Sequence, residues 1–212
     1  MIIAVDGPAA SGKGTVARAL ARHFNLPHLD TGLLYRAVAY TVRRLELDPT
    51  KEADAVAACD FDELTLANPG LRDDEVGQMA SVVSAHPLVR AALLARQKRF
   101  AHQPGGAVLD GRDIGTVIAP DADAKLFVKA TAAVRARRRH HELLSRGKQL
   151  TYEQVLADIR ARDARDSGRS TAPLAQAADA APLDTSNLSI DAAVDRAIGL
   201  VEGQARARRG AA

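Results

Sequence analysis

Residues able to do chemistry cluster in a few short stretches. The first is Gly7-Pro8-Ala9-Ala10-Ser11-Gly12-Lys13-Gly14-Thr15, in which Gly7 to Lys13 fits G-x-x-x-x-G-K. It follows the apolar run Ile2-Ile3-Ala4-Val5, which ends at Asp6, and precedes the helical spacing Val16, Leu20, Phe24. Strand, glycine-rich turn and helix in that order make an anion site. The glycines let backbone N–H groups curl around a phosphate, and the helix start adds partial positive charge. Lys13 can reach the outer phosphates of a nucleoside triphosphate. Gly14 stands where Ser or Thr usually follows the lysine, with Thr15 next, which speaks against a generic switch GTPase. A triphosphate site alone leaves hydrolysis, switching and phosphoryl transfer open.

The other stretches suit a second substrate. Asp30 to Arg36, within LDTGLLYR, offers the Thr31 hydroxyl, the flat Tyr35 ring and the Arg36 guanidinium where a short strand meets a helix. Such strand ends are where open α/β sheets place ligands. Val108 to Thr116, VLDGRDIGT, has Asp110 closing an apolar run, a position that in nucleotide-binding folds orients a magnesium shell. Gly111 allows a turn, Arg112 suits a phosphate, and Asp113 accepts from an amino group or an arginine. Arg160 to Ser170 places Arg162, Asp166 and Arg169 at i, i+4 and i+7, one face of a helix. Upstream lies Arg135-Ala136-Arg137-Arg138-Arg139, whose consecutive arginines cannot share one face, so Arg137 is expected in solvent. Plainer readings stand beside these: a capped helix start, a turn with a local ion pair, a solvated ladder of charges.

The elements that must position these groups follow from periodicity. His28-Leu29-Asp30, Ala107-Val108-Leu109, Ala124 to Val128 and Pro182-Leu183-Asp184 read as further strands. Leu34, Val38 and Val42 mark a helix, as do Val76, Met79, Ala80 and Val83, and Pro87 opens another toward Phe100. Asp48-Pro49 reads as a cap and first turn leading toward Cys59. The stretch from Asp60 to Glu75 has no clear period and reads as a small insertion. Thr131 caps the arginine-rich helix, and Thr151-Tyr152-Glu153-Gln154 is a capping box for a helix to about Ser167. Ile190, Val194, Ile198 and Val201 line a last helix, and Arg206 to Ala212 reads as a frayed tail. Strands alternating with helices predict a parallel, doubly wound α/β fold.

Composition narrows the class. The 212 residues suffice for one sizeable core. The single cysteine, Cys59, excludes a disulfide framework and fits a reducing cytoplasm. No apolar run approaches the ~18–20 residues of a membrane span, and MIIAVDG lacks the basic region of a signal peptide. With no Trp and a net charge of only +3, a nucleic-acid partner is not expected.

GPAASGKGT, LDTGLLYR, ASVVSAHPLVRAAL, DGRDIGT and RDARDSGR occur in the order found in bacterial cytidylate kinases, the CMP/dCMP kinases of the nucleoside monophosphate kinase group. The chain resembles that family from about Ile2 to Val201, and the DGRD and RDxRD elements together are its most specific marks. The resemblance implies one P-loop kinase domain over residues 1–212 with a five-stranded parallel core. It also implies a short NMP-binding insertion near 48–86 and a short lid near 135–165. The implied reaction takes ATP and CMP or dCMP to ADP and CDP or dCDP with magnesium, in pyrimidine nucleotide metabolism. The implied protein is a cytoplasmic monomer with no nucleic-acid or membrane partner.

Motif by motif, the resemblance has Gly7, Pro8, Ala9, Ala10, Ser11, Gly12, Lys13, Gly14 and Thr15 holding ATP. Ser81, Arg90 and Asp113 would read the cytosine. Arg36, Arg112 and Arg169 would hold the CMP phosphate. Tyr35, Arg162 and Asp166 would sit around the sugar, with Thr31 keeping the hydroxyl where the family often has serine. Arg135, Arg138 and Arg139 would belong to the lid and contact ATP or the moving phosphoryl group. The catalytic set is then Lys13, Arg112, Arg135, Arg138, Arg139 and Arg162, with Thr15 and, indirectly, Asp110 on the magnesium side. Asp113 suits the exocyclic amino group of cytosine, which uracil lacks; leaving such a buried acceptor unpaired costs about 1–3 kcal/mol. No proton-abstracting base is needed, because the acceptor is already a phosphate oxygen. On the residues alone, another small-molecule P-loop kinase or a nucleotide-dependent switch also remains open.

Overall fold

The computed structural model of the chain describes residues 1–210. Its strands are β1 (Ile2–Asp6), β2 (His28–Asp30), β3 (Ala107–Gly111), β4 (Ala124–Lys129) and β5 (Ala181–Asp184), in one sheet of order β2-β3-β1-β4-β5. β1 runs parallel to both β3 and β4, and β4 parallel to β5. The helices are α1 (Lys13–His23), α2 (Thr31–Arg44), α3 (Glu52–Ala57), α4 (Asp74–Val83), α5 (Pro87–Ala101), α6 (Ala132–Ser145), α7 (Tyr152–Ser167) and α8 (Ile190–Gly210). The parallel doubly wound α/β fold expected from the alternation is present, with five strands. No described helix is long and apolar enough to cross a membrane.

β1 occupies the middle because its run is apolar on both faces: Ile3, Ala4 and Val5 are fully buried. Ile3 and Val5 pack with Val16 and Leu20 of α1, Leu126 and Val128 of β4, and Ala197 and Val201 of α8. Each such large side chain contributes about 1.5–3 kcal/mol relative to exposure. Strand order reverses at β1, so the crevice for ligands lies at the C-terminal ends of β1 and its neighbours. Asp6 pairs in register with Gly111, which brings the start of the glycine loop level with the start of the DGRD turn.

Two compact units are present: residues 1–29 with the chain from 101 onward, and residues 30–100. The first carries the sheet core. In the second, α2 packs on α4. Where the sequence has no clear period, the second unit forms 3-10 turns at Glu63–Ala67 and Pro69–Arg72. Their starts are capped by Asp62, which accepts from the Leu64 N–H, and Asn68, which accepts from the Gly70 N–H.

Local signals explain most boundaries. The Thr151 capping box is complete: its hydroxyl accepts from the Gln154 N–H at 3.2 Å, and the Gln154 side-chain amide oxygen accepts from the Thr151 N–H at 2.8 Å. Thr131 caps α6 and Asp30 caps α2. Three expectations are corrected. The helix near Asp48-Pro49 starts only at Glu52, because the Asp48 carboxylate is taken by the Thr50 N–H and hydroxyl at 2.9 and 2.7 Å, an Asx turn instead of a cap. Arg169 is not on a helix, since α7 ends at Ser167. The frayed tail is instead helical to Gly210, where Arg208 donates to the Asp121 carbonyl at 2.9 Å; Ala211 and Ala212 lie outside the described residues.

Gly7 is needed for close approach. A Cβ there would sit 2.0 Å from the Val128 carbonyl oxygen on β4, a backbone atom that cannot turn aside. Gly7→Ala should therefore cost about 3 kcal/mol, the upper end for overpacking. Thermal melting should show a loss of about 6–12 °C; an unchanged melting temperature would mean that β4 can yield.

Candidate active site

The glycine loop is a curled turn between β1 and α1. Ala10 and Gly12 both take left-handed backbone, at φ 58° and 90°. From the second, α1 begins without a side-chain cap. Arginines of α6 brace the loop. Arg135 is buried and donates to the Ala9 carbonyl at 3.2 Å, while its fork is held by Asp163 of α7 at 2.9 and 2.6 Å. Arg138 donates to the Ser11 carbonyl at 3.5 Å, and to the Thr185 hydroxyl and carbonyl at 3.0 and 2.6 Å. The Thr185 hydroxyl in turn donates to the Ser11 carbonyl at 2.9 Å. Arg139 pairs with Glu142 on the surface, and Arg137 is exposed as expected.

Lys13, at the head of α1, stands 3.4 Å from Asp110 at the end of β3. The other Asp110 oxygen lies 2.8 Å from His28 Nε2 on β2. Burial works to raise the Asp110 carboxyl, but Lys13 and His28 outweigh it and hold it below the usual carboxylate range.

Beyond Asp110 the chain turns through Arg112 and Asp113 into a π-type turn, Ile114–Ile118. Arg112 Nε donates to Asp166 at 2.7 Å, and its Nη1 donates to the Gly111 carbonyl at 3.2 Å. Arg169 donates to the other oxygen of the same carboxylate. Asp166 is 1% exposed; burial would raise it, but Arg112, Arg169 and Arg162 together keep it below the usual range. Asp6, at the end of β1, accepts from the Ile114 and Gly115 N–H groups at 2.9 and 2.8 Å. Burial pushes its carboxyl up to about 7 against the pull of those two donors.

The smaller unit carries its own cluster. Tyr35 is buried on α2, with the Arg90 guanidinium 5.5 Å from its ring centre. Arg90 donates to the Ser84 carbonyl at 3.3 Å, and the Ser84 hydroxyl donates to the Ser81 carbonyl at 3.2 Å. The Ser81 hydroxyl is buried with no hydrogen-bond partner among the described residues. Arg36 donates to the carbonyls of Leu71 and Asp73 at 2.7 and 3.2 Å. It lies so near α4 that a Cβ on Gly77 would fall 2.7 Å from its Nη2. Thr31 is buried at the head of α2.

A model of the family "Cytidylate kinase" matches residues 3–203. The chain is 59% identical over 208 residues to a cytidylate kinase of Xanthobacter autotrophicus, covering 98% of this chain and all of that one. It is 57% identical over 203 residues to one of Bradyrhizobium sp., covering 95% and 96%. The chain belongs to the cytidylate kinase family. A crystal structure of an uncharacterized protein from Eubacterium ventriosum matches at TM-score 0.56 and 15% identity, over 95% of this chain and 98% of that one, and shares the fold alone.

Within this cytidylate kinase chain, the residues expected to act together are gathered by unit. Arg112, Arg162, Asp166 and Arg169 meet in the first, and Tyr35, Ser81 and Arg90 in the second. Four contributors were missed as site residues. Asp163 and Thr185 brace the glycine loop, yet their partners are 28 and 174 residues away, a distance no local pattern bridges. His28 and Asp6 sit at strand ends; Asp6 repeats the strand-then-acid pattern that singled out Asp110, and that signal was in view.

Among the described residues, no group of three or more His, Cys, Asp or Glu is arranged to hold a metal. The oxygen donors nearest the loop are Thr15, which is exposed, and the buried Asp110 carboxylate.

The Asp166 pairing sets a pH signature. A carboxyl depressed in the folded state contributes stability above its unfolded value, near 3.8, that is lost as pH falls through the folded value. Asp166→Asn should destabilise by about 3 kcal/mol at pH 7, because it leaves buried guanidiniums without their anion. Melting curves from pH 7 to pH 3 should show the gap to the parent chain closing below pH 4. A constant gap would mean that the charge is not what Asp166 supplies.

Proposed function

We propose that this chain transfers the terminal phosphoryl group of ATP to CMP or dCMP, giving ADP and CDP or dCDP. The observation that carries the reading is the cluster beside the DGRD turn, where Arg112, Arg162 and Arg169 act on the buried Asp166 carboxylate. Guanidiniums gathered beside the strand ends suit a phosphate, which their planar forks grip in charge-assisted pairs. The loop Gly7–Thr15 with Lys13 takes ATP, and magnesium supplies charge neutralisation on its phosphates when bound. Arg36, Arg112 and Arg169 take the CMP phosphate. Tyr35, Arg162, Asp166 and Thr31 surround the sugar, and Ser81, Arg90 and Asp113 read the base. The orphaned, buried Ser81 hydroxyl supports this assignment, since a polar atom held out of water calls for a partner.

In phosphoryl transfer the protein chiefly aligns donor and acceptor and neutralises charge on the transferring oxygens. Lys13 and Arg112 meet that charge from opposite partners, the donor loop and the DGRD turn, while Arg135, Arg138 and Arg139 of the lid, near 135–165, steady the loop and contact ATP. The segment near 48–86 serves as the monophosphate-binding insertion. The enzyme works as a cytoplasmic monomer feeding pyrimidine nucleotide pools.

The test is ADP release with ATP and magnesium fixed and CMP, dCMP, UMP, AMP, GMP and dTMP supplied singly, beside a blank without acceptor. Release is expected with CMP and dCMP, and the blank should be silent. Release in the blank alone would favour an ATPase or switch, and none with any acceptor would favour a metabolite kinase. Lys13→Ala should lower kcat by at least about 100-fold while the chain stays folded, as removal of a transition-state donor does; full activity would remove the loop from the mechanism.

A further inference from the structure

At its start the glycine loop leans on β4, where Gly7 lies against the Val128 carbonyl, and at Ser11 it leans on a residue that no motif marks. That residue is Thr185, which follows β5 and is 3% exposed. Three groups stand around its hydroxyl: the Ser11 carbonyl at 2.9 Å, the Lys129 carbonyl at 3.3 Å and Arg138 Nη1 at 3.0 Å. A threonine hydroxyl has one hydrogen and two lone pairs, and a guanidinium can only donate. The hydroxyl therefore accepts from Arg138, and its one hydrogen goes to Ser11, the nearer carbonyl. Arg138 also reaches the Ser11 carbonyl, but at 3.5 Å, the weak end of the hydrogen-bond range. The short donor on that carbonyl is the Thr185 hydroxyl.

We infer that Thr185 is a positioning residue for the triphosphate: its hydroxyl sets the Ser11–Gly12 peptide of the glycine loop and seats Arg138 beside it. The inference rests on the assignment of that loop to ATP.

A trans peptide is planar, so a Ser11 carbonyl held toward Thr185 sends the Gly12 N–H the opposite way. Gly12, at φ 90°, is the residue from which α1 begins, and N–H groups at a helix start are what an anion meets. A rotated peptide would turn that donor out of the cradle. Arg138 depends on the same residue, because its Nη2 donates to the Thr185 carbonyl at 2.6 Å. Thr185 itself has little freedom. Its N–H donates to the Lys129 carbonyl at the end of β4, at 2.8 Å. The hydroxyl of the next residue, Ser186, accepts from the Thr131 N–H before α6 at 3.1 Å. The ends of β4 and β5 and the start of α6 thus converge on the turn that presents this hydroxyl.

Thr185→Val keeps the shape of the side chain and removes its donor and its acceptor. Thr185→Ser keeps the hydroxyl and loses only the methyl group. The experiment measures Kd for ATP with magnesium, and Kd for CMP, by calorimetry in the parent chain and both variants. ATP should bind about tenfold more weakly to Thr185→Val, the scale of one hydrogen bond lost. CMP should stay within about twofold, and Thr185→Ser should bind ATP within about threefold of the parent chain. If Thr185→Val does not fold by circular dichroism, Thr185→Ala, which also lacks the hydroxyl, takes its place. ATP binding that is unchanged or tighter without the hydroxyl would overturn the inference and leave the loop assignment standing. Equal losses for ATP and CMP would overturn it too, since they mark a general loosening of the fold, as would a loss that serine does not restore. A parent chain that binds no ATP would overturn the loop assignment, and the inference with it. Failure of both hydroxyl-free variants to fold would assign Thr185 to the fold alone.

Discussion

A carboxylate removed from water must find donors, and in this chain Asp6, Asp110 and Asp166 find them on elements other than their own. Asp6, Asp110 and Asp166 are all at most 5% exposed. Asp6 on β1 takes two N–H groups from the turn after β3. Asp110 on β3 takes Lys13 from α1 and His28 from β2. Asp166 on α7 takes Arg112 from the DGRD turn and Arg169 from beyond its own helix. An ionised group unpaired in the interior costs several kcal/mol, so these elements cannot drift apart without exposing that cost. The apolar core of β1, β4, α1 and α8 holds the sheet together without direction. The carboxylates add direction, and they do so where the loops converge.

The glycine loop obeys the same rule with the signs reversed. Its carbonyl oxygens at Ala9 and Ser11 are met by Arg135, Arg138 and the Thr185 hydroxyl. A trans peptide is planar, with N–H and C=O on opposite sides. Arginines that hold the Ala9 and Ser11 carbonyls therefore turn the Ala10 and Gly12 N–H groups away from themselves. The left-handed backbone at Ala10 and Gly12 completes the curl. The backbone amides that we propose for the ATP phosphates are in this way oriented by cations that need not touch the anion.

Much of this was legible in the sequence because it is local. The G-x-x-x-x-G-K spacing, the capping box at Thr151, the strand that ends in Asp110 and the crowding of arginines in α6 each lie within a few residues. The Asp48-Pro49 cap was misread because a side chain two residues on, Thr50, competes for the same carboxylate. Arg169 was placed on the helix face by its spacing although the helix was expected to stop near Ser167, as α7 does; its pairing with Asp166 survives the break at Gly168. Pairings such as Arg135 with Asp163 and Thr185 with Ser11 depend on how whole helices pack, and no window of sequence contains both partners.

The arginines of α6 divide by what holds them. Arg135 is clasped at both tips by Asp163, and its third donor goes to the Ala130 carbonyl at 2.9 Å. Breaking a bidentate pair between a guanidinium and a carboxylate leaves two charges to be solvated anew. Arg138 rests on neutral oxygens of Ser11 and Thr185. Exchanging neutral acceptors for a phosphate gains a charge-assisted bond and strands no partner charge. The same helix thus carries one arginine that gives the loop its shape and, three residues later on nearly the same face, one able to turn toward what the loop binds.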